Sequence, residues 1–464
     1  MSTPRTSSSV DGPVGWQAAP QPEVAAPGAW SFPDPVVSTL GNGIELVCFD
    51  LPGQQVVSAH LVLDTPLNGE DRELEGVATI AARTLDEGTR NHPGEEFAEV
   101  LETEGAGFGI EVSLSGLQAV LDVPASHLEQ AFALFSEAIT QPEISDADVA
   151  RHVQIRLAQI EQASANSAQL ASTAFRESVF DPATRASRMS GGEAESVARV
   201  DGAAARRFHA ERVGPAGASL VLAGDFGGVD PHELAERWFG QWSNDAQVRT
   251  PQEVATPAPR RQVVIHRPGA VQADLRYGGF GIDRLDPRWP AASVATYAMG
   301  GAFLSRLNAV LREEKGYTYG VRMSLTPLRT AGSFAIGGSF RTDVLADSVR
   351  LARELADVHE KPFTAAEVAD AVTYTTGISP LRYATADGVA DQAAVNRLVG
   401  LGDDYVTRNL AELRAVTPEA ATQAYTSLVD VDALTLVVVG DADVVADPLR
   451  ELGFSDLEVV RPED

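Results

Sequence analysis

Cysteine is almost absent from this chain: Cys48 is the only one among 464 residues. A single thiol excludes an internal disulfide framework and a cysteine-based zinc site. It sits in GIELVCFDL, a strand pattern, where a small buried side chain is the better reading than a nucleophile. No apolar run approaches the ~18 residues that would suggest a membrane span. Cations are scarce as well, with 36 Lys and Arg against 65 Asp and Glu and a formal charge of −29. That balance argues against nucleic acid and anionic membranes, because phosphate contacts need clustered cations. It favours solubility and neutral or cationic ligands. The opening MSTPRTSSSVDGPVGWQAAPQPEVAAPGAW has no apolar signal core, and residues 1–34 read as a disordered tail. A reducing cytoplasm is the expected location.

What the chain has is enough apolar residue, 44%, to bury sizeable cores, and it says things twice. SLVLAGDFGGVDPHEL from Ser219 and TLVVVGDADVVADPLREL from Thr435 lie 435 − 219 = 216 residues apart. Each reads as a buried strand, then Gly-Asp, then an Asp-Pro turn that opens a helix. ISDADVA from Ile144 and FTAAEVA from Phe363 repeat at 363 − 144 = 219, each after a helix-periodic stretch. Two echoes at nearly one offset indicate duplication. The polar, Pro-bearing residues 241–261 read as a linker between a first half, 35–240, and a second half, 262–464.

Within each half, strand runs and helix runs segregate, which points to α+β with two homologous domains, each a mainly antiparallel sheet packed with helices. GIELVCFDL and VVSAHLVLDT read as a strand pair about the turn LPGQQ. GVATIAARTLDEG and EEFAEVLETEG follow as helices, the second ending at Gly105. In the second half a single helix is expected from Trp289 to Glu314, followed by strands YGVRMSLTPL and GSFAIGGSF.

This order resembles the pitrilysin/insulinase-type zinc metallopeptidases, the group that includes mitochondrial processing peptidase. The resemblance rests on LEGVATIAARTLDEGT in the first half and GGAFLSRLNAVLREEKGYTYGV, Gly300 to Val321, in the second, and it covers about residues 35 to 450. Active members carry His-x-x-Glu-His on the first helix, two zinc ligands and a water-activating Glu. Here those positions read Thr79, Ala82 and Arg83. A third ligand Glu stands on a later helix in the family; RLAQIEQASANSAQL places Ala158 and Gln159 there, with Glu161 out of step. The eight histidines offer no i, i+4 pair, and a fixed cation at Arg83 opposes a divalent metal. No cofactor is expected on this chain.

The second stretch is intact. The resemblance implies that Arg312 and Tyr319 project into a cleft facing a zinc site, Arg312 holding a substrate carbonyl and Tyr319 donating to the oxyanion. Read without the surrounding pattern, Arg312 could cap a helix and Tyr319 could pack on a sheet. In bacterial heterodimers of this group, one subunit holds zinc and the other supplies the Arg/Tyr pair. The expectation is therefore a non-catalytic subunit, half of a clamshell, inactive alone. Its expected partner is a His-x-x-Glu-His subunit of similar length holding the zinc, and its substrate a short or extended peptide, such as a leader or presequence. A peptidase-derived structural scaffold and a stand-alone peptide-binding homodimer are the rival classes. Glycines 278, 279, 281, 337 and 338 read as strand and bulge glycines rather than a phosphate loop, and Asp225 and Asp441 as equivalent turn residues.

Overall fold

The computed structural model describes residues 30–461; the disordered tail expected over 1–34 lies outside them as far as residue 29. From Phe32 onward the described residues form one compact unit. The first six strands are β1 (Val36–Thr39), β2 (Glu45–Asp50), β3 (Val56–Leu63), β4 (Gly107–Ser113), β5 (Gly116–Pro124) and β6 (Ser219–Gly224). The second six are β7 (Gln262–His266), β8 (Gln272–Gly281), β9 (Thr318–Pro327), β10 (Gly332–Arg341), β11 (Thr435–Gly440) and β12 (Glu458–Val460). They form two six-stranded sheets, ordered β1-β2-β6-β3-β5-β4 and β12-β7-β11-β8-β10-β9. Apart from the outermost β1 and β12, the orders match strand for strand, so the duplication read from the sequence is a duplication of topology.

The strand pair expected about LPGQQ does not form. β6 lies between β2 and β3, parallel to the first and antiparallel to the second. The reason is burial: SLVLAG and its copy TLVVVG are almost wholly enclosed. Such continuous apolar runs belong at a sheet centre with both faces covered. Their following aspartates play equal parts. Asp225 accepts the Gly53 amide at 2.9 Å and Asp441 accepts the Gly269 amide at 2.8 Å. The expected Asp-Pro helix start holds only in the first copy, where Asp230 caps Pro231–Phe239. In the second, Asp441 caps Ala442–Glu451 and Pro448 lies inside the helix.

The sheets are covered reciprocally. The helices Ser167–Val179 and Ala386–Leu398 are repeat equivalents, 219 residues apart at both ends (386 − 167 and 398 − 179). The first packs on β8 and β11 of the second sheet, and the second packs on β3 and β6 of the first. Phe175 and Val179 are buried beside Val437 and Ala331, while Ala171 packs with Val263, Ile265 and Val439. Burying a side chain of this size contributes about 1.5–3 kcal/mol. Across the other joint, Gln118 donates to Asp391 at 3.1 Å and meets the buried His60 at 2.8 Å. The expected linker runs without regular structure but not free, since Gln252 donates to the Ser115 carbonyl and Glu253 accepts the Arg185 amide.

Cys48 is buried in β2, and burial pushes its thiol up to about 12, so it serves as a core atom and not as a nucleophile. Among the described residues no helix is long and apolar enough to cross a membrane.

Candidate functional site

The first candidate region is the helix Val77–Ala82, and it is shorter than the sequence suggests. Gly76 enters it with φ +102°, a conformation that favours glycine, and Arg83 already stands at its C-cap. The Thr84 hydroxyl bonds the Ala81 carbonyl at 2.8 Å, helping the chain leave the helix there. The helix start is anchored by carboxylates. Glu70 accepts the amides of Gly76 and Ala78, both at 3.0 Å, and pairs with buried Arg185 at 3.0 Å. Burial pushes the Glu70 carboxyl up, opposed by Arg185 and the two amides. Glu75 pairs with Arg188 at 2.7 Å. None of these four residues was singled out from sequence, because each pair joins positions more than 100 residues apart and no local pattern marks it.

Thr79 and Arg83 face the same cavity, of about 520 Å³, as Gln159 of the helix Asp146–Ala165. Ala82 is buried in the core beside it, and Glu161 does not line it. The structure thus brings the degenerate positions together. The donor set does not fit zinc. Its one imidazole, His152, is held by Glu87 at 2.7 Å, its one carboxylate is Glu111, and Arg83 and Arg156 add two cations. Among the described residues, one His/carboxylate triplet, His266, Asp441 and Asp443, lies within 4.8 Å. Its atoms are engaged: His266 Nδ1 accepts the Ala442 amide, Asp441 caps a helix, and Asp443 pairs with Arg461.

The second region departs from the single helix expected over Trp289–Glu314. An α-helix, Trp289–Thr296, passes into a π-helical turn, Tyr297–Gly301, then an extended residue, Ala302, and a second π-helical segment, Asn308–Glu314. Close packing explains the break. A Cβ on Gly300 would stand 2.4 Å from the Met323 amide nitrogen, so only glycine lets the turn lie this close to β9. Buried Asn308 then ties the second segment to the same strand, donating to the Val321 carbonyl at 3.0 Å and accepting its amide at 3.1 Å. The signal for Asn308 was a lone amide in an apolar helical run, which burial obliges to find partners.

This scaffold holds Arg312 on the π-helical segment and Tyr319 at the start of β9. The Arg312 guanidinium lies over the Phe303 ring at 3.7 Å, donates to the Phe303 carbonyl at 2.8 Å and pairs with Glu313 at 2.8 Å. Tyr319 is 95% exposed, beside a sequence neighbourhood in which Phe303 and Leu304 are 73% and 71% exposed. Tyr317, by contrast, is committed, its hydroxyl donating to Asp347 at 3.0 Å. Nearby, Arg306 pairs with Glu367 at 2.6 Å over the Phe363 ring and holds that carboxyl down at about 2. This depressed group stabilises the fold above its ordinary value of 4.5, and the contribution is lost as pH falls toward about 2. Arg306→Ala should therefore flatten the acid limb of a stability–pH curve; a limb unchanged in shape would remove this pair from the account.

The chain matches the model of Insulinase (Peptidase family M16) over residues 47–186 and that of the Peptidase M16 inactive domain over 199–374. An uncharacterized zinc protease of Streptomyces coelicolor is 23% identical over 399 residues, 82% of this chain and 84% of that protein. The non-peptidase homolog YmxG of Helicobacter pylori is 24% identical over 325 residues, 68% and 73% of the two chains. Among solved structures, a peptidase M16 inactive domain from Pseudomonas fluorescens superposes with TM-score 0.81 at 23% identity, covering 88% of this chain and 98% of that one. A chain of Complex III2 from Candida albicans does so at 0.76 and 14% identity, covering 92% and 100%. With two family models together spanning more than half of its length and a doubled sheet topology, the chain belongs to the M16 peptidase family.

Proposed function

We propose that the chain is the non-catalytic subunit of a heterodimeric M16 peptidase, lending Arg312 and Tyr319 to a zinc site held by a His-x-x-Glu-His partner. The observation that supports this most is the contrast between the two regions. The cavity of Thr79, Arg83 and Gln159 does not offer a zinc ligand set, while Tyr319 is 95% exposed at the start of β9, the strand that follows the π-helical segment holding Arg312. In this reading the partner's zinc supplies the activated water. From this chain, the Tyr319 hydroxyl donates to the oxyanion of the tetrahedral intermediate and Arg312 holds a substrate carbonyl. A docked partner would replace the Phe303 ring and carbonyl that now occupy the guanidinium. Substrates are short or extended peptides, leader segments among them, and the complex works in the cytoplasm.

Purified alone, the chain should bind no stoichiometric zinc; metal analysis near one equivalent would end this reading. Restoring the motif with Thr79→His, Ala82→Glu and Arg83→His should still fail to produce a peptidase, because Gln159 leaves the third ligand missing. Robust chelator-sensitive turnover by that variant alone would show the positional assignment to be wrong.

A further inference from the structure

The chain's charge of −29 conceals a local reversal. Two cavities share one lining residue, Arg322, exposed on the edge strand β9. One, of about 570 Å³, lies between the helix Ser167–Val179 and the strands β8, β9 and β10, and carries Arg176 and Arg276. The other, of about 420 Å³, lies beside the π-helical turn Tyr297–Gly301 and carries Arg284 and Arg382. Against these five guanidinium groups, the lining of the two cavities offers one carboxylate, Asp274, which burial pushes toward its neutral form.

None of the five arginines forms an ion pair among the described residues. Their hydrogen bonds go elsewhere: Arg276 donates to the Ser172 hydroxyl at 2.9 Å and to backbone carbonyls. Arginines on neighbouring turns behave differently, Arg288 pairing with Asp286 at 2.7 Å and Arg306 with Glu367 at 2.6 Å. Arg176 donates to the Arg188 carbonyl and Arg284 lies over the Trp289 ring, so in a chain with nearly two acids per base all five arginines line these cavities without a carboxylate partner.

The second cavity has a further property. Tyr297 and Tyr374 stack at 4.7 Å with 17° between planes, and Trp289, Tyr383 and Tyr405 also line it. Tyr374 and Ile378 stand 219 residues after Ile155 and Gln159 (374 − 155, 378 − 159), which line the degenerate metal-motif cavity. The duplication has therefore kept a cavity at the equivalent place and lined it with aromatic rings and arginines. Planar rings take apolar or amide groups, and guanidinium forks take carboxylates in a bidentate manner.

We propose that the two cavities flanking Arg322 bind acidic peptides, the arginines taking Asp, Glu or terminal carboxylates and the tyrosine-rich pocket an apolar residue between them. This rests on the reading of the complex as a peptidase only for the statement that the ligand is its substrate; the binding itself needs neither partner nor metal.

The test is calorimetric titration of the full chain, alone, with an unstructured Glu/Ala decapeptide carrying one Phe and with its Lys/Ala counterpart. The acidic peptide should bind about tenfold or more tightly than the basic one at low salt, and the difference should shrink as ionic strength rises. The pair Arg284→Gln and Arg322→Gln should lose about tenfold in affinity. Arg382→Gln, on an exposed side chain, repeats the test should the double variant unfold. Arg414→Gln, an unpaired arginine outside both cavities, should change nothing. Equal binding of the basic peptide, unaltered affinity in the cavity variants, or binding of tripolyphosphate in place of any peptide overturns the inference. Chelator-sensitive turnover in a mixture with the partner, but without acid preference, overturns this inference alone. Acid preference with no turnover in any mixture overturns the divided active site alone.

Discussion

Tyr319→Phe should leave this chain folded and able to assemble, while lowering turnover of the complex by ~10²–10³, about 2.7–4 kcal/mol in barrier height. The substitution removes one hydroxyl from a ring that is 95% exposed, so no packing is lost and no internal hydrogen bond is broken. Whatever changes must come from the partner's side of the interface. If the hydroxyl donates only when the oxyanion develops, kcat and kcat/KM should fall together with little change in assembly. Tyr317→Phe is the internal comparison: it breaks the bond to Asp347 and should cost stability but little turnover. An unchanged kcat in the Tyr319 variant would take that residue out of the mechanism.

The largest stability effect should come from a different place, the buried pair beneath the degenerate helix. Arg185→Ala leaves Glu70 enclosed, its carboxylate still accepting the amides of Gly76 and Ala78 but without its cation. Removing one partner of a buried pair typically costs about 3–5 kcal/mol, because the remaining charge is uncompensated. Chemical denaturation at neutral pH should show that loss. Pairing it with Glu70→Gln should recover part of it, since both amides bond the one oxygen Oε1 and a Gln oxygen there can still accept them without carrying charge. A loss below ~1 kcal/mol for Arg185→Ala would mean that water reaches the site and screens it. The comparison also shows how firmly the helix Val77–Ala82 is anchored.

Much of this was legible in the sequence, and the rest follows a physical division. The duplication could be read because equal turns need equal side chains; Ser145 and Thr364 cap equivalent helices by accepting the amides of Asp148 and Glu367. Thr79, Arg83 and Gln159, which the sequence pattern put in one group, line one cavity. Strand order was not legible, because alternation says that a strand exists but not which neighbour it takes; β6 between β2 and β3 is a decision of burial. Nor was the reciprocal covering by Ser167–Val179 and Ala386–Leu398, since an amphipathic helix does not name the sheet it will cover. The break at Gly300–Ala302 is set by contact with Met323, a tertiary fact that overrides helical periodicity. The arginine-lined cavities were hidden most completely, since the net charge of −29 pointed the other way.

The reciprocal helices also bear on how the two halves depend on each other. Neither sheet is fully covered by its own half, so residues 35–240 and 262–464 expressed separately should each expose a sheet face and remain poorly folded. Mixed together, they should recover native ellipticity and a cooperative transition. Two independently cooperative halves would contradict this description of the packing.

The central claim is that the active site is divided between two chains, and a peptidase assay addresses it most directly. Unstructured peptides are offered to this chain alone, to a His-x-x-Glu-His candidate alone and to the two together, with and without a zinc chelator. The account expects turnover in the mixture only, abolished by the chelator and restored by zinc. A stable complex of the two chains that hydrolyses nothing, or full turnover by the partner alone, would contradict it.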